Sequence, residues 1–176
     1  MAFATSRNLE WLADCQEWFA DGTYKTVPAL FAQLYTIHGL MGEEVLPFIY
    51  ALLPNKQEAT YRRMLDLIID HPSTPDDVHP QTVMMDFEKG AMNCAFQAKF
   101  LEAEIKACLF HLSQNVYKHV QSLGLQERYA QDAQFCLKVR HLTALGFVPT
   151  GDLFDGFELL ILIGRWELSG RCRRSS

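Results

Sequence analysis

Apolar and polar residues alternate along three early stretches of the chain, and this is the period of a half-buried β-strand. Residues 16–27 mix aromatic and β-branched side chains around Asp21-Gly22 and predict a strand, a turn and a strand, while residues 30–40 and 43–53 predict two further strands. Pro47 favours an irregular or edge position for the last of these. The first third of the chain therefore predicts an antiparallel meander.

The spacing of apolar residues changes to a helical period after Asn55. A helix capped by Asn55, with Glu58 three residues on, is predicted to carry Tyr61, Leu65 and Ile68 on its apolar face. The same reasoning predicts strands over residues 81–87 and 103–110, and helices over 88–100, 113–123, 127–145 and 152–160. A meander followed by β-α-β units predicts an α/β fold with a mixed sheet and helices on its faces.

Composition and charge narrow the class of protein. The chain has 176 residues, of which 49% are hydrophobic, and this is enough for one globular domain with a core. DNA-binding domains are usually basic, because basic side chains neutralise phosphates, whereas this chain has a net charge of −5. If the chain acts on DNA, we therefore expect another module or chain to provide much of the DNA binding. Five scattered cysteines indicate a reducing compartment. No apolar run reaches signal-peptide or membrane-spanning length, so no membrane is expected.

Two aspartates follow predicted strands and are candidates for a metal site. Asp21 stands at the end of the first strand and Asp86 at the end of the fourth, and in a mixed sheet these strands can be neighbours. Carboxylate oxygens in such a pair suit Mg²⁺ or Mn²⁺, the ions that assist phosphodiester cleavage. Structural alternatives stay open, because Asp-Gly is a common turn signal and an Asp before a helix is a good N-cap.

A thiol and an imidazole three residues apart mark the end of the last predicted strand. Cys108 and His111 could both ligate a metal, but a structural zinc site needs four ligands and no second pair lies at the required spacing. A buried cysteine and a histidine near a helix start explain the pair equally well from spacing alone.

The combination of segments resembles the MULE (Mutator-like element) transposase domain, in the animal branch found beside FLYWCH-type zinc fingers. The resemblance covers about residues 9 to 160 and rests on four segments in order: WFADGTYKTVPALFAQLYTIHG, LPFIYALLPNKQEATYRRML, MMDFEKGAMNCAF and CLFHLSQNVYKHV. It implies a ribonuclease-H-like fold over residues 9–124, followed by the start of a helical insertion over 125–163 and a divergent basic tail over 164–176.

The resemblance also implies a chemistry and its residues. The activity would be that of a DDE-type transposase, which cleaves and transfers DNA strands with Mg²⁺ or Mn²⁺. Asp21 and Asp86 match the first two catalytic aspartates of the family, and Cys108 and His111 match its Cys-x-x-His element. The DNA partner would be the terminal inverted repeats of a transposon, in the context of a full-length protein, with a homo-oligomer left open. The expected compartment is the nucleus, or the cytoplasm for a degraded fragment.

The C-terminal segment departs from the family pattern. A third catalytic carboxylate is expected after the helical insertion, and neither Glu158 nor Glu167 is assigned to that role. We therefore expect a truncated domain that is inactive alone. Two alternatives remain: a transposon-derived, non-enzymatic DNA- or protein-binding protein, and an unrelated α/β protein whose aspartates are structural.

Overall fold

The protein is described by a computed structural model that covers residues 1–23, 27–86 and 95–170, with side chains through residue 163. Its chain divides into two compact units, Met1–Cys108 and Leu109–Ser176. The first unit contains a mixed sheet and the second is helical.

The described residues of the first unit form a sheet of six strands: β1 (Ala2–Phe3), β2 (Glu17–Thr23), β3 (Gln33–Met41), β4 (Glu44–Leu53), β5 (Thr82–Met85) and β6 (Glu104–Ala107). Their order across the sheet is β1-β4-β3-β2-β5-β6. The pairs β1–β4, β4–β3 and β3–β2 are antiparallel, whereas β2–β5 and β5–β6 are parallel. The fold is therefore a mixed α/β fold, and β2 is the strand at which the sheet changes from antiparallel to parallel pairing.

Helices of the first unit cover one face of the sheet. They are α1 (Ser6–Asp14), α2 (Glu58–Ile69) and the short α3 (Gln97–Lys99). The indole nitrogen of Trp18 in β2 donates to the backbone oxygens of Leu12 and Cys15 at the end of α1, at 3.1 and 3.0 Å. Tyr35 of β3 meets Tyr61 of α2 edge-on, with ring centroids 5.2 Å apart. One continuous core therefore joins this sheet face to both longer helices.

Strict alternation along β2 and β3 decides which side chains enter that core. Trp18 and Ala20 of β2, and Tyr35 and Ile37 of β3, are buried, while the residues between them are half-buried. Successive side chains of a strand point to opposite faces, so the intervening residues, Asp21 among them, lie on the second face of the sheet.

The second unit consists of α4 (Leu109–Ser122), α5 (Gln126–Gln131), α6 (Ala133–Ala144) and α7 (Leu153–Gly170), with 3₁₀ turns at Leu145–Phe147 and Thr150–Asp152. Gly124 ends α4 with a positive φ of 69°. The Asp132 carboxylate accepts hydrogen bonds from the backbone N–H groups of Gln134 and Phe135 and so starts α6. Among the described helices, none is long and apolar enough to cross a membrane.

Most of the predicted strands are confirmed, with one error at Asp21-Gly22. The chain does not turn there, because β2 continues to Thr23 and pairs with β3 along its whole length up to that residue. The hairpin lies instead between β3 and β4, where Gly42 has a positive φ of 64°. Pro47 lies beside a register shift in β4, as an irregular strand requires.

The predicted helices differ from the observed ones mainly at their ends. The first predicted helix is confirmed as α2, but the predicted cap by Asn55 is wrong, because α2 begins at Glu58 with Gln57 at its N-cap position. The helix α1 was not predicted. The strand predicted over 103–110 ends at Ala107, and α4 begins at Leu109. One helix was predicted over 127–145, and two are present because Asp132 interrupts them. Most of the helix predicted over 88–100, including Glu88, lies outside the described residues.

Candidate functional site

The carboxyl ends of three parallel strands bring the sequence-predicted residues to one level of the sheet. Ala20 of β2 is the register partner of Met85 in β5, and Met85 is the partner of Ala107 in β6. Asp21 follows Ala20, Asp86 follows Met85, and Cys108 follows Ala107. Because parallel strands advance together, these three residues occupy neighbouring positions at the same level.

A backbone hydrogen bond continues the parallel ladder beyond its last paired residues. The N–H of Cys108 donates to the oxygen of Met85 at 2.8 Å. Cys108 is therefore held beside β5 even though β6 ends one residue earlier. Directly opposite residues in neighbouring strands point to the same face, and neighbouring strands lie about 4.8 Å apart. The Asp21 and Asp86 positions thus differ by one strand spacing.

The two aspartates differ in their exposure to solvent. Asp86 is only 9% exposed and is one of the few buried polar residues described, whereas Asp21 is half-buried. Burying an ionised carboxylate is costly unless a cation or hydrogen-bond donors compensate for it. A buried and a half-buried carboxylate on adjacent strands can together hold a cation and leave one side of it open to a ligand.

The pair fits a hard divalent cation in its donor chemistry. Mg²⁺ is commonly bound through one or two carboxylates, with water and substrate oxygens completing its octahedron. The described residues contain no group of three or more His, Cys, Asp or Glu side chains arranged to hold a metal. Asp21 and Asp86 would offer such an ion two carboxylate groups.

Cys108 and His111 stand where the sequence predicted, at the junction of the last strand and its helix. Cys108 follows β6 directly and is half-buried, and His111 lies in the first turn of α4. The His111 ring contacts Phe110 edge-on, with centroids 5.6 Å apart. Of Cys108 and His111, Cys108 is the residue that lies at the end of a strand, next to the position of Asp86.

Two residues at the same level were not singled out from the sequence. Thr36 of β3 is the cross-strand partner of Asp21, and Tyr50 of β4 is the partner of Thr36. Both lie on the face of the sheet that carries Asp21. The alternation of buried and exposed residues along a strand does not reveal this relation. The pairing registers of β2 with β3 and of β3 with β4 are what align Thr36 and Tyr50 with the aspartates.

Glu158 and Glu167, which the sequence left without a role, both fall within α7. The Glu158 side chain is exposed, and the side chain of Glu167 is not among those described. Neither observation assigns a third carboxylate to the site.

Comparison with known proteins gives the chain its family. The model of the MULE transposase domain matches residues 17–115, which is more than half of the chain and spans β2 through the first half of α4. No curated protein and no solved structure matches closely enough to be compared with it. The matched region contains Asp21, Asp86, Cys108 and His111. The chain therefore belongs to the MULE transposase domain family, that of the Mutator-like transposases, and its function is transposase-related.

Proposed function

We propose that this protein is the core of a DDE-type transposase of a Mutator-like element, in which Asp21 and Asp86 are two of the catalytic, metal-binding carboxylates. The observation that carries the proposal is their placement one residue beyond the paired positions Ala20 and Met85, on adjacent parallel strands. Membership of the transposase family supports the same assignment.

The strand order supports a ribonuclease-H-like arrangement. The strands β2, β3 and β4 form the antiparallel meander, and β5 and β6 add in parallel on the other side of β2. This is the order that the resemblance implies, with β1 as an additional edge strand. Ligands of open α/β sheets bind outside the carboxyl ends of the parallel strands, where Asp21 and Asp86 lie.

Each carboxylate has a distinct task in this proposal. Asp86, being buried, anchors Mg²⁺ or Mn²⁺, while the half-buried Asp21 shares the ion at the side open to a DNA phosphate. When bound, such ions activate a water and stabilise the leaving oxygen of a phosphodiester. Cys108 and His111 match the family's Cys-x-x-His element, and we expect replacement of either residue to lower strand cleavage in a full-length relative.

The substrate of this function is DNA carrying the terminal inverted repeats of the element, bound in the full-length context. A net charge of −5 supports a separate DNA-binding module, and the sequence resemblance favours the animal branch with FLYWCH-type zinc fingers. A DNA substrate in that branch favours a nuclear location.

Metal-dependent thermal stability tests the site without requiring catalysis. Binding to the folded state alone stabilises it by about 1.4 kcal/mol when the metal concentration is ten times Kd. We expect Mn²⁺ to raise the unfolding temperature of the wild type, and Asp21→Asn and Asp86→Asn to abolish the rise. Asp76→Asn, which neutralises an exposed carboxylate elsewhere, is the matched control and should keep the response. A response that survives in both site variants would refute the site.

A second candidate is a transposon-derived protein that binds DNA without cleaving it. The assignment of only two carboxylates, without the third that cleavage requires, favours it. Incubation of the full chain with Mn²⁺ and labelled duplex carrying terminal repeats distinguishes the two. Nicking that disappears in Asp21→Ala and Asp86→Ala supports the transposase, whereas DNA binding by a wild type that Mn²⁺ does not stabilise supports the second candidate.

A further inference from the structure

Two exposed aromatic side chains lie on the same row of the sheet as the candidate carboxylates. Phe3 of the edge strand β1 is the register partner of Tyr50 in β4. Tyr50 pairs with Thr36, and Thr36 pairs with Asp21. Since each partner points to the same face, the row Phe3, Tyr50, Thr36, Asp21 crosses four strands on one face.

The two rings are accessible, unlike the aromatic residues of the core. Phe3 is 49% exposed and Tyr50 is 41% exposed, whereas Tyr35 and Tyr61 are fully buried. Ala51 next to Tyr50 is also buried, which confirms that Tyr50 points away from the core. The row therefore presents two adjacent aromatic faces to a ligand.

We propose that Phe3 and Tyr50 form a stacking platform for unpaired bases of the DNA strand whose backbone passes Asp21 and Asp86. Exposed aromatic rings on a β-sheet bind single-stranded nucleic acid by stacking, with little dependence on base sequence. This proposal rests on the proposed function, because the carboxylates define the strand that is bound.

The spacing of the row fits such a strand. With about 4.8 Å between strands, Tyr50 lies two spacings, or roughly 10 Å, from the level of Asp21, and Phe3 lies roughly 14 Å away. Stacked bases advance by about 3.4 Å along a strand. The platform therefore receives bases three to four nucleotides from the phosphate at the carboxylates.

The charge of the protein makes such a contact more important. A chain with a net charge of −5 gains little from attraction to phosphates. Stacking does not depend on net charge, and it selects unpaired bases because paired bases in a duplex already stack on one another. The platform thus favours a strand that has been opened next to the cleavage site.

The test uses the full chain and a fluorescein-labelled single-stranded oligodeoxythymidine at low salt, in the presence of EDTA. Stacking on one ring is worth about tenfold in affinity. We expect Phe3→Leu and Tyr50→Leu each to weaken binding by about that factor, and Tyr50→Phe to keep it. The exposed Phe154 of α7 provides the matched control, Phe154→Leu, which should bind as the wild type does.

Each outcome decides the proposal separately from the metal site. No binding by the wild type, equal losses in Tyr50→Leu and Phe154→Leu, or the same loss for a blunt duplex as for the single strand would overturn it. Unchanged thermal unfolding of Tyr50→Leu confirms that the fold is intact. Because EDTA removes divalent ions, the binding assay reports on the aromatic platform and not on the carboxylates. The Mn²⁺ stability assay, in turn, reports on the carboxylates and not on single-strand binding.

Discussion

The buried hydrogen bond between Gln33 and Tyr61 ties the start of β3 to α2 and allows a quantitative test of the core. Both side chains are fully buried, and the Gln33 amide nitrogen donates to the Tyr61 hydroxyl. The other end of the amide, Oε1, has no hydrogen-bond partner within the described part of the chain. The hydrogen bond to the Tyr61 hydroxyl therefore compensates part of the cost of burying the Gln33 amide.

Tyr61→Phe should destabilise the protein by about 1–3 kcal/mol, because it leaves the buried amide of Gln33 without its acceptor. Gln33→Met removes the amide and keeps the volume, but it also removes the donor to the buried Tyr61 hydroxyl, so it should cost about 1 kcal/mol. In the double variant both members of this hydrogen bond are absent. We therefore expect it to lie within about 1 kcal/mol of the wild type, with a coupling energy of about 1–2 kcal/mol between the sites.

Urea unfolding of the four proteins measures this cycle, and linear extrapolation gives each free energy of unfolding. Tyr117→Phe, which removes the hydroxyl of an exposed tyrosine in α4, is the control and should leave stability unchanged. Additive effects of Gln33→Met and Tyr61→Phe, or a neutral Tyr61→Phe, would refute the reasoning that the hydroxyl compensates for burial of the amide.

Three further substitutions test a close packing contact, a helix cap and an ion pair. Gly39→Ala would place a Cβ 2.6 Å from the Cys15 sulfur, so we expect overpacking to cost about 2–3 kcal/mol; a wild-type urea midpoint would contradict this. Asp132→Ala removes the cap of α6 and should lower the thermal midpoint. The backbone N–H of Phe135 lowers the pKa of Asp132, so the difference should persist at neutral pH and vanish on acidification below about 3.8, the ordinary value. Lys99→Met removes the 2.8 Å ion pair with Asp66 and should cost about 0.5 kcal/mol. That hydrogen bond raises the pKa of Lys99, so the difference between wild type and variant should hold below pH 10.5 and close above it.

Local patterns in the sequence were sufficient for the meander but not for the course of β2. Alternation along residues 30–40 and 43–53 predicts β3 and β4 within a few residues. Asp21-Gly22 carries the residues of a tight turn, yet the strand continues through it. Pairing with β3 continues through both residues, whereas β5 pairs with β2 only up to Ala20. Pairing with β3 therefore overrode the local turn signal.

The helical errors have different physical causes. The Thr5 hydroxyl caps α1 by accepting from the Asn8 N–H at 3.1 Å, and Leu9 and Leu12 are its buried residues, so α1 could have been predicted. The apolar period of residues 127–145 runs on across Asp132, and only the cap geometry at that residue divides α5 from α6. The spacing of apolar residues indicates which face of a helix is buried. It does not indicate where a side chain accepts hydrogen bonds from backbone N–H groups and so ends one helix and starts another.

The same distinction explains how much of the candidate site the sequence contained. Asp86 and Cys108 directly follow strands, and Asp21 lies near the end of β2, so their association with strands is visible locally. Their common level, in contrast, depends on the parallel register of three strands. Thr36 joins the level through its pairing with Asp21, and Tyr50 joins it because the Gly42 turn and the bulge next to Ile37 set the alignment of β3 with β4. A single-residue slip of β4 would move Tyr50 to the opposite face.

The change of strand direction at β2 limits where the rest of the site can come from. The carboxyl ends of β2, β5 and β6 point the same way, whereas β3 runs against them. At that edge, β6 contributes Cys108 next to Asp86, and β3 contributes Thr36 next to Asp21. Both neighbouring positions of the aspartate pair within the sheet are therefore filled by residues other than carboxylates. If the pair binds metal as proposed, a third acidic ligand comes from a segment outside the row, and the strand pattern alone identifies only the two aspartates.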